Sequence, residues 1–131
     1  MDDQQFLSAV ESRADLDSRE EAMAAAESTL RVLGERIARG QATELAAPLP
    51  ENLRAALTGP QDEGAEQFPP EEFVERVREY EREQRADLSV DRARLHVQAV
   101  LESLAEAVDG DIWHDVRTQL PTEYERLYQA G

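Results

Sequence analysis

The chain has 131 residues, with 29 acidic and 14 basic side chains and a formal charge of -15. That length suits one domain, residues 1–131, and no apolar run approaches the ~20 residues a bilayer-spanning helix needs. Cysteine is absent, which excludes disulfides, thiolate metal sites and cysteine nucleophiles together.

Each half of the chain reads as four helices. The first begins at Asp2 and runs to about Arg13. Ser18-Arg19-Glu20-Glu21 is a capping box, which opens a long second helix. Ala22, Ala26, Leu30, Leu33 and Ile37 step along that helix at helical spacing, and Gly40 is expected to end it. A short third helix covers about Ala42 to Ala47. Leu49-Pro50 breaks it, because a residue before proline avoids helical dihedrals. The proline then restarts a fourth helix over about 51–57. Residues 58–69 carry two glycines and two prolines and read as a linker. A new helix starts at Pro70, where the missing N–H costs nothing, and runs to about Gln84. The next begins near Ser89 and carries Ala93, Val97, Leu101, Leu104 and Val108, with Gly110 as its expected stop. Asp111 to Gln119 form the seventh helix, Leu120-Pro121 breaks it, and 122–129 form the last.

The strings repeat. Leu30-Arg31-Val32-Leu33 recurs as Leu101-Glu102-Ser103-Leu104, 71 positions on. The same offset carries Leu45 onto Val116, Leu49-Pro50 onto Leu120-Pro121 and Leu57 onto Tyr128. Upstream, Phe6 and Val10 match Phe73 and Val77 at an offset of 67. The expected fold is therefore all-α: an eight-helix bundle made by tandem duplication of a four-helix unit, with pseudo-twofold symmetry. The first repeat half is 4–57 and the second is 70–129. One unit is too lean to hold a core alone, so the halves should close face to face, with Leu33 and Leu104 central.

A capped helix leading into Val32-Leu33-Gly34-Glu35-Arg36-Ile37, followed by Gly40, Leu45, Leu49-Pro50 and Leu57, resembles one repeat of domain-of-unknown-function family 2267. Phe73, Leu101, Leu104, Gly110-Asp111, Val116, Leu120-Pro121 and Tyr128 resemble its other half. The resemblance implies an all-helical fold found in bacteria and archaea. It brings no established activity and no agreed catalytic residues. The second copy has Ala105-Glu106-Ala107 where the first has Gly34-Glu35-Arg36, so the repeat gives Arg36 no supporting role.

All the basic residues are arginine, and lysine is absent. Lysine is a strongly hydrated point charge, whereas arginine forks onto carboxylates. At -15 the compact state repels itself in dilute buffer, but the Debye length falls to ~3 Å at 1 M salt. This surface resembles that of haloarchaeal cytoplasmic proteins. The acidic, polar N-terminus is no secretory signal, so a cytoplasmic protein without membrane association is expected.

Candidate chemistry is sparse. Asp111 and His114, three apart at a helix start, offer one carboxylate and one imidazole to a metal. Against that, Asp111 is expected to cap the helix, with His114 and Asp115 facing water. His96 lies beside the apolar stripe and reads as a boundary histidine. Glu35 and Glu106 are related by the repeat, and paired acids across a twofold raise one another's pKa. Arg76, Arg78, Arg82, Arg85, Arg92 and Arg94 alternate with acids. Pairs such as Glu75–Arg78 and Glu81–Arg85 make this a solvated, ion-paired face rather than the uncompensated stripe that nucleic acid requires. Tyr124 and Tyr128 should dock the last helix. No catalytic residue or cofactor is assigned.

The expected function is a non-enzymatic helical protein-interaction or regulatory module of a halophilic cytoplasm, acting on a protein partner or by self-association. One alternative is a small-molecule or metal-binding protein, or an enzyme, using the cleft between the halves. A nucleic-acid-binding tandem helical protein is the other.

Overall fold

The computed structural model describes residues 3–59, 66–83 and 88–128. Among the described residues eight helices follow in order: α1 (Asp3–Ala14), α2 (Arg19–Arg36), α3 (Arg39–Ala46), α4 (Glu51–Thr58), α5 (Pro70–Glu81), α6 (Val90–Ala107), α7 (Gly110–Thr118) and α8 (Glu125–Tyr128). A 3-10 turn, Thr122–Tyr124, leads into α8. No strand occurs among the described residues.

The helix starts follow the sequence closely. The Ser18 hydroxyl accepts from the Glu21 N–H at 3.2 Å, and the Glu21 carboxylate accepts from the Asp17 N–H at 3.3 Å. Ser89 does the same for the Arg92 N–H at 3.1 Å. Pro50, just ahead of α4, and Pro121, just ahead of the 3-10 turn that leads into α8, have nearly identical dihedrals (φ -57, ψ 154 and φ -58, ψ 157). α1 ends differently, on Asp15 at φ 53. The Leu16 N–H reaches back to Glu11 O at 2.9 Å, closing a left-handed cap on a residue that tolerates that region.

Gly40 and Gly110 do not end the long helices. α2 stops at Arg36 and α6 at Ala107, and each glycine lies in the first turn of the next helix. The break is made by the β-branched residues Ile37 (φ -107, ψ 163) and Val108 (φ -110, ψ 162), which are buried in extended conformation. Burying those side chains turns the backbone out of the helix before a glycine is needed. The cap of α7 is also displaced: Asp109 precedes the helix without a side-chain cap bond, and Asp111 sits inside the first turn.

Every helix contributes to one core. The predicted stripe residues Ala22, Ala26, Leu30, Leu33 and Ile37 are fully buried, as are Ala93, Val97, Leu101 and Leu104. The two 18-residue helices, α2 and α6, pack on each other at the centre. α1 packs on α6 and also on α2, while α5 packs on α2 and also on α6. α4 covers α2, α8 covers α6, and α3 meets α7. The first helix of each half thus lies on the long helix of the other. Phe73 stacks edge-on against Tyr124 (centroids 5.9 Å apart) and Trp113 against Tyr128 (5.6 Å), so both tyrosines dock the C-terminal helix as expected.

Candidate functional site

The densest polar cluster lies where α2 ends against α5. Glu35, one of the two acids singled out by the repeat, is in its middle. Its Oε1 accepts from Arg76 Nη1 at 3.0 Å and its Oε2 from the Tyr80 hydroxyl at 2.5 Å. Arg76 also holds Glu66 at 2.9 and 3.0 Å and Glu72 at 2.6 and 3.0 Å, and stacks on Phe68 at 3.9 Å. The Glu66 N–H closes the cluster on Glu35 O at 2.9 Å. The arrangement follows from α5 lying along α2 with Glu72, Arg76 and Tyr80 spaced one turn apart.

The electrostatics agree with that geometry. Hydrogen bonding to Glu66, then to Glu72 and Glu35, raises the Arg76 guanidinium against the opposing cost of burial. The Arg76 hydrogen bond holds the Glu66 carboxyl below its usual range. Burial, reinforced by the Glu35 acceptor, pushes the Tyr80 hydroxyl up to about 12. Both oxygens of Glu35 are engaged, so the carboxylate ties α5 to α2 and has no oxygen free of a protein donor.

Glu106 sits on α6 beside α1. It is ion-paired with Arg13, whose Nη1 also donates to Ser103 Oγ at 3.0 Å. Each acid is therefore met by the first helix of the opposite half, through a tyrosine and an arginine in one case and an arginine in the other.

Arg36 lies one residue beyond Glu35 and is almost fully buried, at 2 % exposure. Its Nε donates to Phe68 O at 3.2 Å and to the Tyr124 hydroxyl at 3.3 Å, and its guanidinium lies over both rings. Nη1 is buried without a hydrogen-bond partner. Sequence reasoning passed over Arg36 because Ala107 occupies the matching place. Tyr124 itself is pushed upward in pKa, chiefly by burial.

A second buried polar pair departs from the expectation. His96 is fully buried rather than at the boundary, and Glu81 is buried with it rather than on an ion-paired surface. His96 Nδ1 lies 2.9 and 3.0 Å from the two Glu81 oxygens, while Nε2 has no partner. The physical reason is tertiary. The last residue of α5 is turned inward onto α6, and burying either polar group alone is costly. The proposed partner of Glu81, Arg85, lies outside the described residues. Glu75–Arg78 does form, at 3.7 Å.

Asp111 and His114 are both exposed. Among the described residues no group of three or more His, Asp or Glu side chains could hold a metal ion. His114 instead lines a shallow cavity of about 170 Å³ with Arg117, Leu120 and Tyr128. Two larger hollows lie elsewhere. One, of about 360 Å³, runs between Ala47-Pro48 and the stretch Ala107, Val108, Asp109 and Ile112. The other, of about 300 Å³, is lined by Pro70, Glu71, Val74, Arg94, Arg126 and Leu127. No described helix is long and apolar enough to cross a membrane.

Helices packed on a single core, with internal ion pairs and grooves at the helix ends, define an all-helical bundle. The chain belongs to the family described as uncharacterized conserved protein (DUF2267), which matches residues 3–127. No curated protein matches it.

Proposed function

We propose that the protein is a non-enzymatic interaction module, built from two copies of one four-helix unit and working in a halophilic cytoplasm. Its partner docks as an extended segment in the groove between Ala47-Pro48, just after α3, and the junction of α6 with α7. The duplication is supported by equal lengths of α2 and α6 and of α1 and α5, by matched break dihedrals, and by reciprocal packing of the first helices. Arg13 on Glu106 and Tyr80 on Glu35 join matching positions. The salt environment is supported by the charge of -15 and the absence of lysine.

The observation that carries the docking reading is a difference between two equivalent places. At the end of α2 the chain fills its own groove: Gln119 Oε1 accepts from the Ala38 N–H at 2.7 Å, and its Nε2 reaches Gln41 at 3.4 Å. At the end of α6, Pro48 stands in place of Gln119, Asp109 in place of Ala38 and Ile112 in place of Gln41. Proline has no side-chain acceptor, and the groove there is open and largely apolar. The fitting occupant brings an acceptor to the Asp109 N–H and an apolar side chain to Ala107, Val108 and Ile112. Capture in molar potassium chloride with light scattering tests this. Wild type should retain a stoichiometric partner, another protein or a second copy, and Ile112→Asp should lose it. A partner held equally well by Ile112→Asp, or none held by wild type, contradicts the reading.

A further inference from the structure

The cavity at the start of α5 differs in kind from the groove at the α6–α7 junction. It is about 300 Å³ in volume, and its floor is apolar, with Val74 and Leu127 almost wholly buried. Two of its walls are cationic, Arg94 from α6 and Arg126 from α8. These guanidiniums stand out on a chain of net charge -15. The first turn of α5 adds its partial positive charge beside them. At the rim, Glu71 is ion-paired with Arg126, and Gln98 Nε2 holds the Arg126 carbonyl at 3.0 Å, fixing that residue's backbone over α6. Arg94 is held only loosely, to Asp91 at 3.4 Å. In the repeat alignment the corresponding residues of the first half are Met23 and Ala55, so the cations belong to the second half alone. The cavity itself stands whether or not the halves are copies.

We propose that this cavity binds a small carboxylic acid with an apolar body. The carboxylate forks onto Arg126 and Arg94, and the body rests on Val74, Leu127 and Pro70. Arginine is suited to this because its planar donors match two carboxylate oxygens at once. The volume equals the share of roughly ten waters, which fits a ligand of about that many heavy atoms. Glu71 is the internal competitor. Its carboxylate pairs with Arg126 and swings out when the ligand enters. Contact pairing of this kind survives molar salt better than long-range attraction does, because the charges meet inside the screening length.

The test uses the full chain in molar potassium chloride, with three probes followed by two-dimensional NMR of methyl and arginine Nε resonances. Benzoate carries charge and body, benzyl alcohol the body alone, and inorganic phosphate the charge alone. Benzoate should shift the Val74, Leu127, Arg94 and Arg126 signals saturably, with the other two probes much weaker. Arg126→Gln should weaken benzoate by about tenfold or more. Glu71→Gln should tighten it several-fold, a change of sign that loss of folding does not produce. Unchanged melting curves for both variants guard that comparison. The proposal is overturned if benzoate leaves these signals unmoved, if phosphate or benzyl alcohol binds as well as benzoate, or if Glu71→Gln binds benzoate no more tightly.

Discussion

The two halves of the molecule share their apolar positions and differ in their buried polar ones. Leu30, Leu33 and Ile37 of the first half have buried counterparts in Leu101, Leu104 and Val108. The first half has Ala14 and Ala25, both fully buried, where the second has Glu81 and His96. Conversely, the first half buries Arg36 where the second has the half-buried Ala107. The repeated positions are those that remove apolar surface from water, the dominant driving force for folding. The unmatched positions are polar groups that need a specific partner from another element. The fold is thus carried by what the halves share, and the individual sites by what they do not.

The largest effect expected from this contrast concerns the buried pair. Glu81→Ala or His96→Ala alone leaves its buried partner uncompensated and should cost about 3–5 kcal/mol. The double replacement restores the alanine pair of the first half and should cost less than either single change. Chemical denaturation in molar salt measures all three, and strict additivity would break the comparison. Next come the central leucines. Leu33→Ala and Leu104→Ala should each cost about 2–5 kcal/mol and lie close to one another, since both side chains are fully buried on the paired long helices. A large gap between them in the same denaturation series would mean that the halves share the core unequally.

The alkaline response sharpens the contrast between the Tyr80–Glu35 and Arg13–Glu106 clamps. Tyr80 is raised in the folded state from its ordinary 10.0 to about 12. The unfolded chain therefore loses that proton first. The stabilisation is fully present below pH 10 and is lost as pH rises toward 12. Melting temperature should fall across that window, and less steeply in Tyr80→Phe. Arg13→Gln leaves Tyr80 and its Glu35 acceptor in place, so it should leave the slope unchanged. The smallest effect is at Asp15, which holds φ 53 at the end of α1. Asp15→Gly removes the left-handed strain and should stabilise by at most about 1 kcal/mol, visible as a small rise in melting temperature.

These contrasts also mark what could be read from the chain. Helical spacing, two serine caps and two Leu-Pro breaks placed all eight helices within a few residues, because each is a local signal. The ends of α2 and α6 were missed because buried Ile37 and Val108 turn the backbone out before Gly40 and Gly110, which is a tertiary effect. His96 looked like a boundary residue because its partner, Glu81, sits on another helix and reads as one more acid in an ion-paired run. Arg36 left no trace in the repeat, and its partners Phe68 and Tyr124 are distant in sequence. Glu35 was legible as a position, but its engagement by Arg76 and Tyr80 required knowing that α5 crosses to α2.

The central claim is that neither four-helix unit holds a core without the other, since each first helix lies on the opposite long helix. Expressing residues 1–66 and 67–131 separately tests it most directly. In molar potassium chloride each piece alone should show little helix by circular dichroism, and a one-to-one mixture should regain it with a cooperative melt. A cooperative melt from either piece by itself would contradict the account.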